Sequence, residues 1–362
     1  MAFRYQDSGQ RDADLRLIHA LQVEPRASWA DLGRVLRTDP VALARRWTRI
    51  VADGHAWVTG VPRRYPVSAI VEVECAPGSA GAAGQVLEAE AEVLTLDYTA
   101  GRRDIIAAVG TSDMHALSAL TLDRLHQRDV ITRVRTHLVT EYLLQGDSWR
   151  LDTLTDAEIR SIPVARAPRA RAARTVSDTL AQIIFEELYH DGRASTGHIA
   201  ERAGVSTQTV ADAISTLRHS GRLILRTDVA RVYTGWPVNA WYFLQVPAST
   251  IQLLTQSLSK MQEVRLAATI SSEYNLAMAV WLRDLPDVNR FETLLEKAIG
   301  GAVVVRERAV VIRPGTHLGR SLDNSGFVRN IPRDRTDSTA CNVESNSADW
   351  IIRSALRPRP PR

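Results

Sequence analysis

Lysine is nearly missing from this chain of 362 residues. Only Lys260 and Lys297 occur among its 45 basic residues, so the other 43 are arginine. Arginine stays charged at every working pH, and its planar fork suits carboxylate, phosphate and guanine. Cysteine is scarce too, with Cys75 and Cys341 alone. That excludes a disulfide framework and a zinc site built from thiols. No apolar run approaches the ~20 residues of a membrane span. The opening MAFRYQDSGQRDAD has no apolar stretch and no cleavage site, so no signal peptide and a cytoplasmic location are expected. The nine histidines are scattered, without the spacing of a metal site or a catalytic triad. No metal, cofactor or catalytic residue is therefore expected. The net charge of +4 is too small, averaged over the length, to argue strongly for nucleic acid.

What the chain does contain is a long internal repeat. Pro25-Arg26-Ala27-Ser28 recurs as Gly192-Arg193-Ala194-Ser195, at an offset of 167. The same offset aligns Leu32 with Ile199, Leu43 with Val210, Trp47 with Ile214 and Gly54 with Gly221. Further on, residues 101–105 stand opposite 272–276 at an offset of 171. The period is far longer than that of a solenoid, so the chain reads as a two-domain module present twice.

The first unit, residues 12–60, reads as three helices and a wing. Leu17, Ile18 and Leu21 share one stripe, Ser28 and Asp39 sit at helix caps, and Pro40 suits a first helical position. In the second copy, 177–228, Ala200-x-x-x-Gly204-Val205-Ser206 has the small residue, glycine turn and cap of a helix–turn–helix. The candidate DNA contacts are Thr38, Arg45, Arg46 and Arg49 in the first unit. In the second they are Ser206, Thr207, Gln208, Thr209 and Arg218. Such residues bond phosphates or base edges.

The second unit, 65–145, alternates as a half-buried strand over 67–75 and then reads β-α-β-β-α-β, the ferredoxin-like plan. The same order returns over 238–314. The fold class expected is α+β, with tandem winged helix–turn–helix and ferredoxin-like domains. Sheet-to-sheet packing between copies is expected to cover the open sheet face. Residues 1–11 read as a disordered arm and 146–176 as a basic linker with arginines 160, 166, 169, 171 and 174. Residues 315–362 read as a disordered tail, apart from the apolar stretch Trp350-Ile351-Ile352.

A winged helix–turn–helix followed by β-α-β-β-α-β resembles the Lrp/AsnC (leucine-responsive, feast/famine) transcriptional regulators, in a double-length form. The stretches that carry this are Arg26-Ala27-Ser28, Arg45-Arg46-Trp47-x-Arg49-Ile50, Gly192-Arg193-Ala194-Ser195 and Ala203-Gly204-Val205-Ser206. The resemblance implies double-stranded DNA as partner, and homodimers or higher homo-oligomers joined through the ferredoxin-like (RAM) sheets. It also implies an effector, typically an amino acid, at the turn between the second and third strands. The matching residues are Gly101, Arg102, Arg103 and Asp104, and in the second copy Ser272, Glu273, Tyr274 and Asn275. On this reading the chain is a regulator and not an enzyme. Two alternatives stay open. One is an enzyme resembling the siroheme decarboxylases of the same fold, with His55, His137 and His219 as candidates to hold a carboxylate. The other is an effector-binding scaffold that does not bind DNA.

Overall fold

The computed structural model describes residues 8–62, 65–165, 175–299 and 303–329. Linker arginines 166, 169, 171 and 174, Cys341 and Trp350–Ile352 lie outside them. The chain opens with α1 (Ser8–Val23), α2 (Trp29–Leu36), α3 (Pro40–Ala52) and β1 (Ala56–Pro62). Ser28 caps α2 by accepting the Asp31 N–H, and Asp39 caps α3 by accepting that of Ala42. Leu32, Leu43, Trp47 and Ile50 are buried beneath these helices. Between α2 and α3, Arg37 takes a left-handed conformation, φ 52°, a position that glycine would fill without strain.

There follow β2 (Val67–Cys75), α4 (Ala80–Glu88), β3 (Val93–Thr99), β4 (Ile105–Thr111), α5 (Met114–Ser118) running into a π-helical turn (Ala119–Arg124), and β5 (Ile131–Leu144). After α6 (Asp156–Ser161) come α7 (Asp178–His190), α8 (Thr196–Ala203), α9 (Thr207–His219) and β6 (Leu223–Val229). The last stretch is α10 (Arg231–Thr234), β7 (Val238–Gln245), α11 (Ala248–Leu258), β8 (Val264–Ser271), β9 (Leu276–Leu282), α12 (Asp287–Ile299), β10 (Val304–His317) and β11 (Arg320–Ser321).

The two helical units meet through a ribbon. β1 pairs antiparallel with β6 along its full length, from Ala56 opposite Val229 to Pro62 opposite Leu223. Beside the ribbon two arginines make reciprocal contacts. Arg26 donates to the carbonyls of Gly192 and Ala194, both at 2.8 Å. Arg193 donates to those of Pro25 and Ala27, at 2.6 and 3.1 Å. The four acceptors stand at the same offset of 167 that appeared in the sequence, so the contact is isologous, as across a two-fold axis.

The remaining strands form one closed sheet. Its order is β10-β3-β4-β2-β5-β8-β9-β7, and β7 pairs back onto β10. Every neighbour is antiparallel. The expected sheet-to-sheet stack is thus replaced by edge joining. β5 pairs with β8 and β10 with β3, so the sheet edges expected to join separate chains are paired within one. Closure gives β2 two buried faces instead of one: Ala69, Val71 and Val73 face the helices, while Ser68, Ile70 and Glu72 lie inside. An eight-stranded barrel is just wide enough to be filled by side chains or to hold one small ligand.

Three boundaries differ from the sequence reading. α1 begins at Ser8, inside the expected arm. Within the expected linker, Trp149, Leu151, Leu154 and Ile162 pack into the core of the first helical unit. Within the expected tail, β10 runs on to His317, and Val328 donates its N–H to Gly54 O at 3.1 Å. In each case a few well-spaced apolar residues anchor a segment whose average composition is polar.

Candidate functional site

The outward faces of α3 and α9 come first. Arg45, Ser206, Thr207, Gln208 and Thr209 are exposed. Ser206 accepts the Thr209 N–H as the cap of α9, and Gln208 donates to Asp212 at 3.2 Å. Thr38 donates to Leu36 O in the preceding turn. The other expected contacts are turned inward. Arg46 and Arg49 both donate to the buried carboxylate of Asp14, at 2.8 Å and at 2.6–2.7 Å, and Tyr233 Oη adds a third donor at 2.6 Å. Arg218 grips Glu24 with two bonds of 3.0 and 2.9 Å. This last pair ties α9 of one helical unit to the other. Of the four arginines singled out on these helices, Arg45 faces solvent without an ion pair in the described residues.

At one end of the barrel the two turns expected to hold an effector come together. Arg103 is buried, 2 % exposed. Its Nε lies 3.0 Å from Glu72, its Nη2 bonds Glu307, and its guanidinium sits 4.9 Å over the Phe243 ring. Arg102 stands 3.3 Å from the same Glu307. From the second turn, Ser272 Oγ is 2.6 Å from His137 Nδ1, and His137 Nε2 is 3.4 Å from Glu72. Burial and then its bond to Glu307 push the Tyr274 hydroxyl above its usual range. Burial would raise the Glu307 carboxyl, but Tyr274 and Arg103 outweigh it and bring it down. Gly101 and Glu273 are exposed. Asp104 and Asn275 act as turn clamps instead: Asp104 accepts the Cys75 N–H at 2.7 Å, and Asn275 bonds both N–H and carbonyl of Val246. This end is filled by its own ion pairs.

The opposite end is open. A cavity of about 220 Å³ lies between the β1–β6 ribbon and the barrel mouth. Its apolar wall includes Trp57, Tyr65, Leu94, Trp241 and Trp281, and its polar groups include Asp97, Arg226, Asp228, Arg231, Arg265 and His317. Gly110 makes room for the wall, since a Cβ there would stand 2.4 Å from the Tyr65 ring. Asp228 receives Arg226 at 2.5 Å and stands 3.3 Å from His317. Burial would raise its carboxyl, but Arg226 and then His317 hold it far below the usual range. Arg265 sits in the corner of two edge-to-face indoles, 4.2 Å from Trp149 and 4.0 Å from Trp281. Burial pulls its guanidinium down to about 9, with Asp228 opposing. Asp97 accepts from Trp241 Nε1 at 3.0 Å, and burial raises it against that bond.

Sequence reasoning missed this cavity. Arg226 and Asp228 alternate on a wing strand, and His317 lies in the expected tail. No local signal marks it, since the lining tryptophans 57, 241 and 281 are far apart in the sequence. The three histidines considered for a carboxylate are not assembled. His55 stacks on Tyr233 at 4.0 Å, His137 is in the barrel, and His219 is exposed.

Comparison with known proteins bears on both halves. Residues 68–149 match the Lrp/AsnC ligand binding domain. An uncharacterized HTH-type transcriptional regulator of Pyrococcus abyssi is 25% identical over 131 residues, 35% of this chain and 80% of that protein. A similarly described protein of Pyrococcus horikoshii is 25% identical over 123 residues, 33% and 75% of the two chains. The crystal structure of the siroheme decarboxylase NirDL shares the fold at a TM-score of 0.54 and 13% identity, covering 96% of this chain and 99% of that one. The expectation that the chain is not an enzyme is corrected by this finding. A fold shared over nearly the whole chain is one that carries catalysis elsewhere, so architecture gives no ground for excluding it. No helix among the described residues is long and apolar enough to cross a membrane.

Proposed function

We propose that this chain is an effector-responsive DNA-binding regulator of the Lrp/AsnC type, in which one polypeptide carries two copies of the reader and the ligand-binding domain. One observation carries this reading. α3 and α9 each bury one stripe, Leu43-Trp47-Ile50 and Val210-Ile214-Leu217, and present a capped N-terminus and a polar face to solvent. A helix so presented suits the major groove. The two Pyrococcus relatives, described as HTH-type regulators, and the Lrp/AsnC match at 68–149 support it. The pairing of β1 with β6 along their full length joins the two helical units through one ribbon, as a two-part operator requires.

The test is fluorescence anisotropy on the DNA upstream of its own or neighbouring operon. Nanomolar binding that weakens with salt is expected. Arg45→Ala should lower the salt slope by about 1, the contribution of one phosphate contact. Absence of binding below ~50 mM salt refutes the reading.

A second reading is favoured by the chain-long fold likeness to NirDL, namely a decarboxylase acting on a carboxylate-rich tetrapyrrole. The cavity is smaller than the ~300–1,000 Å³ that encloses drug-sized ligands, so such a substrate would keep much of its ring outside. Binding of siroheme with a shifted absorbance band, followed by release of carbon dioxide, would support that reading over the first.

A further inference from the structure

The cavity between ribbon and barrel is not the turn site that the regulator family implies. It carries a specific imbalance of polar groups. Arg226 Nε, Arg265 Nη1 and Trp57 Nε1 are buried donors without a hydrogen-bond acceptor. Asp228 Oδ2 and Asn239 Oδ1 are buried acceptors without a donor. All five residues line the cavity. Buried polar atoms left unmatched cost about 1–3 kcal/mol each, so a set of five gathered at one void points to an absent partner. Three arginines, Arg226, Arg231 and Arg265, line the cavity beside Asp97 and Asp228, with Asp147 acting on Arg226 and Arg265 from outside the lining. Arg265 is also held in place: its guanidinium sits in the corner made by the Trp149 and Trp281 rings, 4.2 and 4.0 Å away, and an arginine fork so held can receive a carboxylate. Much of the rest of the wall is aromatic or aliphatic, with Thr95, Gln145, Thr316 and His317 adding polar groups, and the volume is that of a metabolite.

We propose that this cavity binds a small carboxylate with an aromatic or bulky apolar body, its carboxylate on Arg265 and Arg226 and its body among Trp57, Tyr65 and Trp281. An α-amino acid and the corresponding deaminated acid share this chemistry. They differ in whether Asp228 and Asn239 receive an ammonium group. The site spans two parts of the fold, since Arg226 and Asp228 belong to the ribbon between the helical units, while Arg265 and Trp281 belong to the barrel. A ligand bridging them fixes the ribbon against the barrel. The coupling to DNA rests on the regulator reading, but the site itself does not.

The experiment is calorimetric titration of the full chain with four probes: L-phenylalanine, phenylpyruvate, 3-phenylpropionate and phenethylamine. At least one of the three carboxylates should bind, and phenethylamine should not. Preference for phenylalanine over 3-phenylpropionate identifies the amino acid as the source, and the reverse identifies the deaminated acid. Arg265→Gln should weaken binding at least tenfold. Ala279→Leu, which fills the void without breaking an ion pair, should abolish it with the melting temperature retained. Failure of all three carboxylates, or binding that survives Ala279→Leu, overturns the site. Binding lost in Arg102→Ala but kept in Arg265→Gln moves the ligand to the turns and overturns it as well. A chain that binds DNA but no carboxylate refutes the site alone, and one that binds carboxylate but no DNA refutes the regulator reading alone.

Discussion

Asp14 holds two arginines that a DNA-binding helix would otherwise present outward, so its neutralisation should change stability and DNA binding in opposite directions. Its carboxylate is 1% exposed and accepts from Arg46, Arg49 and Tyr233. Asp14→Asn keeps the size and removes the charge. Breaking a fully buried pair costs about 3–5 kcal/mol. Here the arginine side chains are 25% and 37% exposed and can turn to water, which brings the loss to about 2–3 kcal/mol. A thermal melt should fall by about 4–12 °C, at some 2–4 °C per kcal/mol. The freed Arg46 and Arg49 should then reach phosphate and steepen the salt slope by up to about 2, equivalent to roughly tenfold more affinity lost between 50 and 200 mM salt. Melts and anisotropy on the same protein read both quantities. An unchanged melting temperature shows that the ion pairs contribute nothing. A lower melting temperature with an unchanged slope shows that these arginines do not face DNA, and the reasoning fails.

Three other outcomes follow from buried groups. His19 accepts the N–H groups of Thr153 and Leu154, and burial, then Arg150, lower it from 6.5 to about 4. The unfolded chain therefore binds the extra proton between those values, and about 3 kcal/mol present above pH 6.5 is lost as pH falls toward 4. Melts from pH 7.5 to 4.5 should show this, and His19→Asn should flatten the profile; equal slopes in both proteins would contradict it. The Cys75 thiol is pushed up to about 11 by burial and Asp104, so in a Cys341→Ser background a disulfide reagent at pH 8 should react at least tenfold more slowly with folded than with unfolded chain. Asp104→Ala and Asn275→Ala remove matching turn clamps, and each should cost about 1–2 kcal/mol in denaturant titration; a neutral effect at either would remove that role.

Local order was legible because local chemistry fixes it. Ser28, Asp39, Ser195 and Ser206 cap helices as their types and positions imply. The repeat offset of 167 reappears in the Arg26 and Arg193 contacts. Closure of the barrel was not legible, because alternation on β2 reports one apolar face and says nothing of what covers Glu72 on the other. The fate of the arginines was hidden for a related reason. Arg45, Arg46 and Arg49 look alike along α3, and only the approach of Asp14 from α1 separates them. The cavity draws on β1 and on every strand from β3 to β10, so no local pattern could announce it.

Joining β5 to β8 and β10 to β3 inside one polypeptide has a consequence for how the molecule behaves on dilution. A pair of separate chains loses its shared barrel as concentration falls. Here the two halves are tethered, and their encounter is unimolecular at any concentration. Tethering also releases the halves from identity. Arg103 can stand over Phe243 and bond Glu307, a contact that two identical subunits would have to make twice. One end of the barrel has closed on its own charges while the other has kept a void, so the proposed site occurs once for the two helical units.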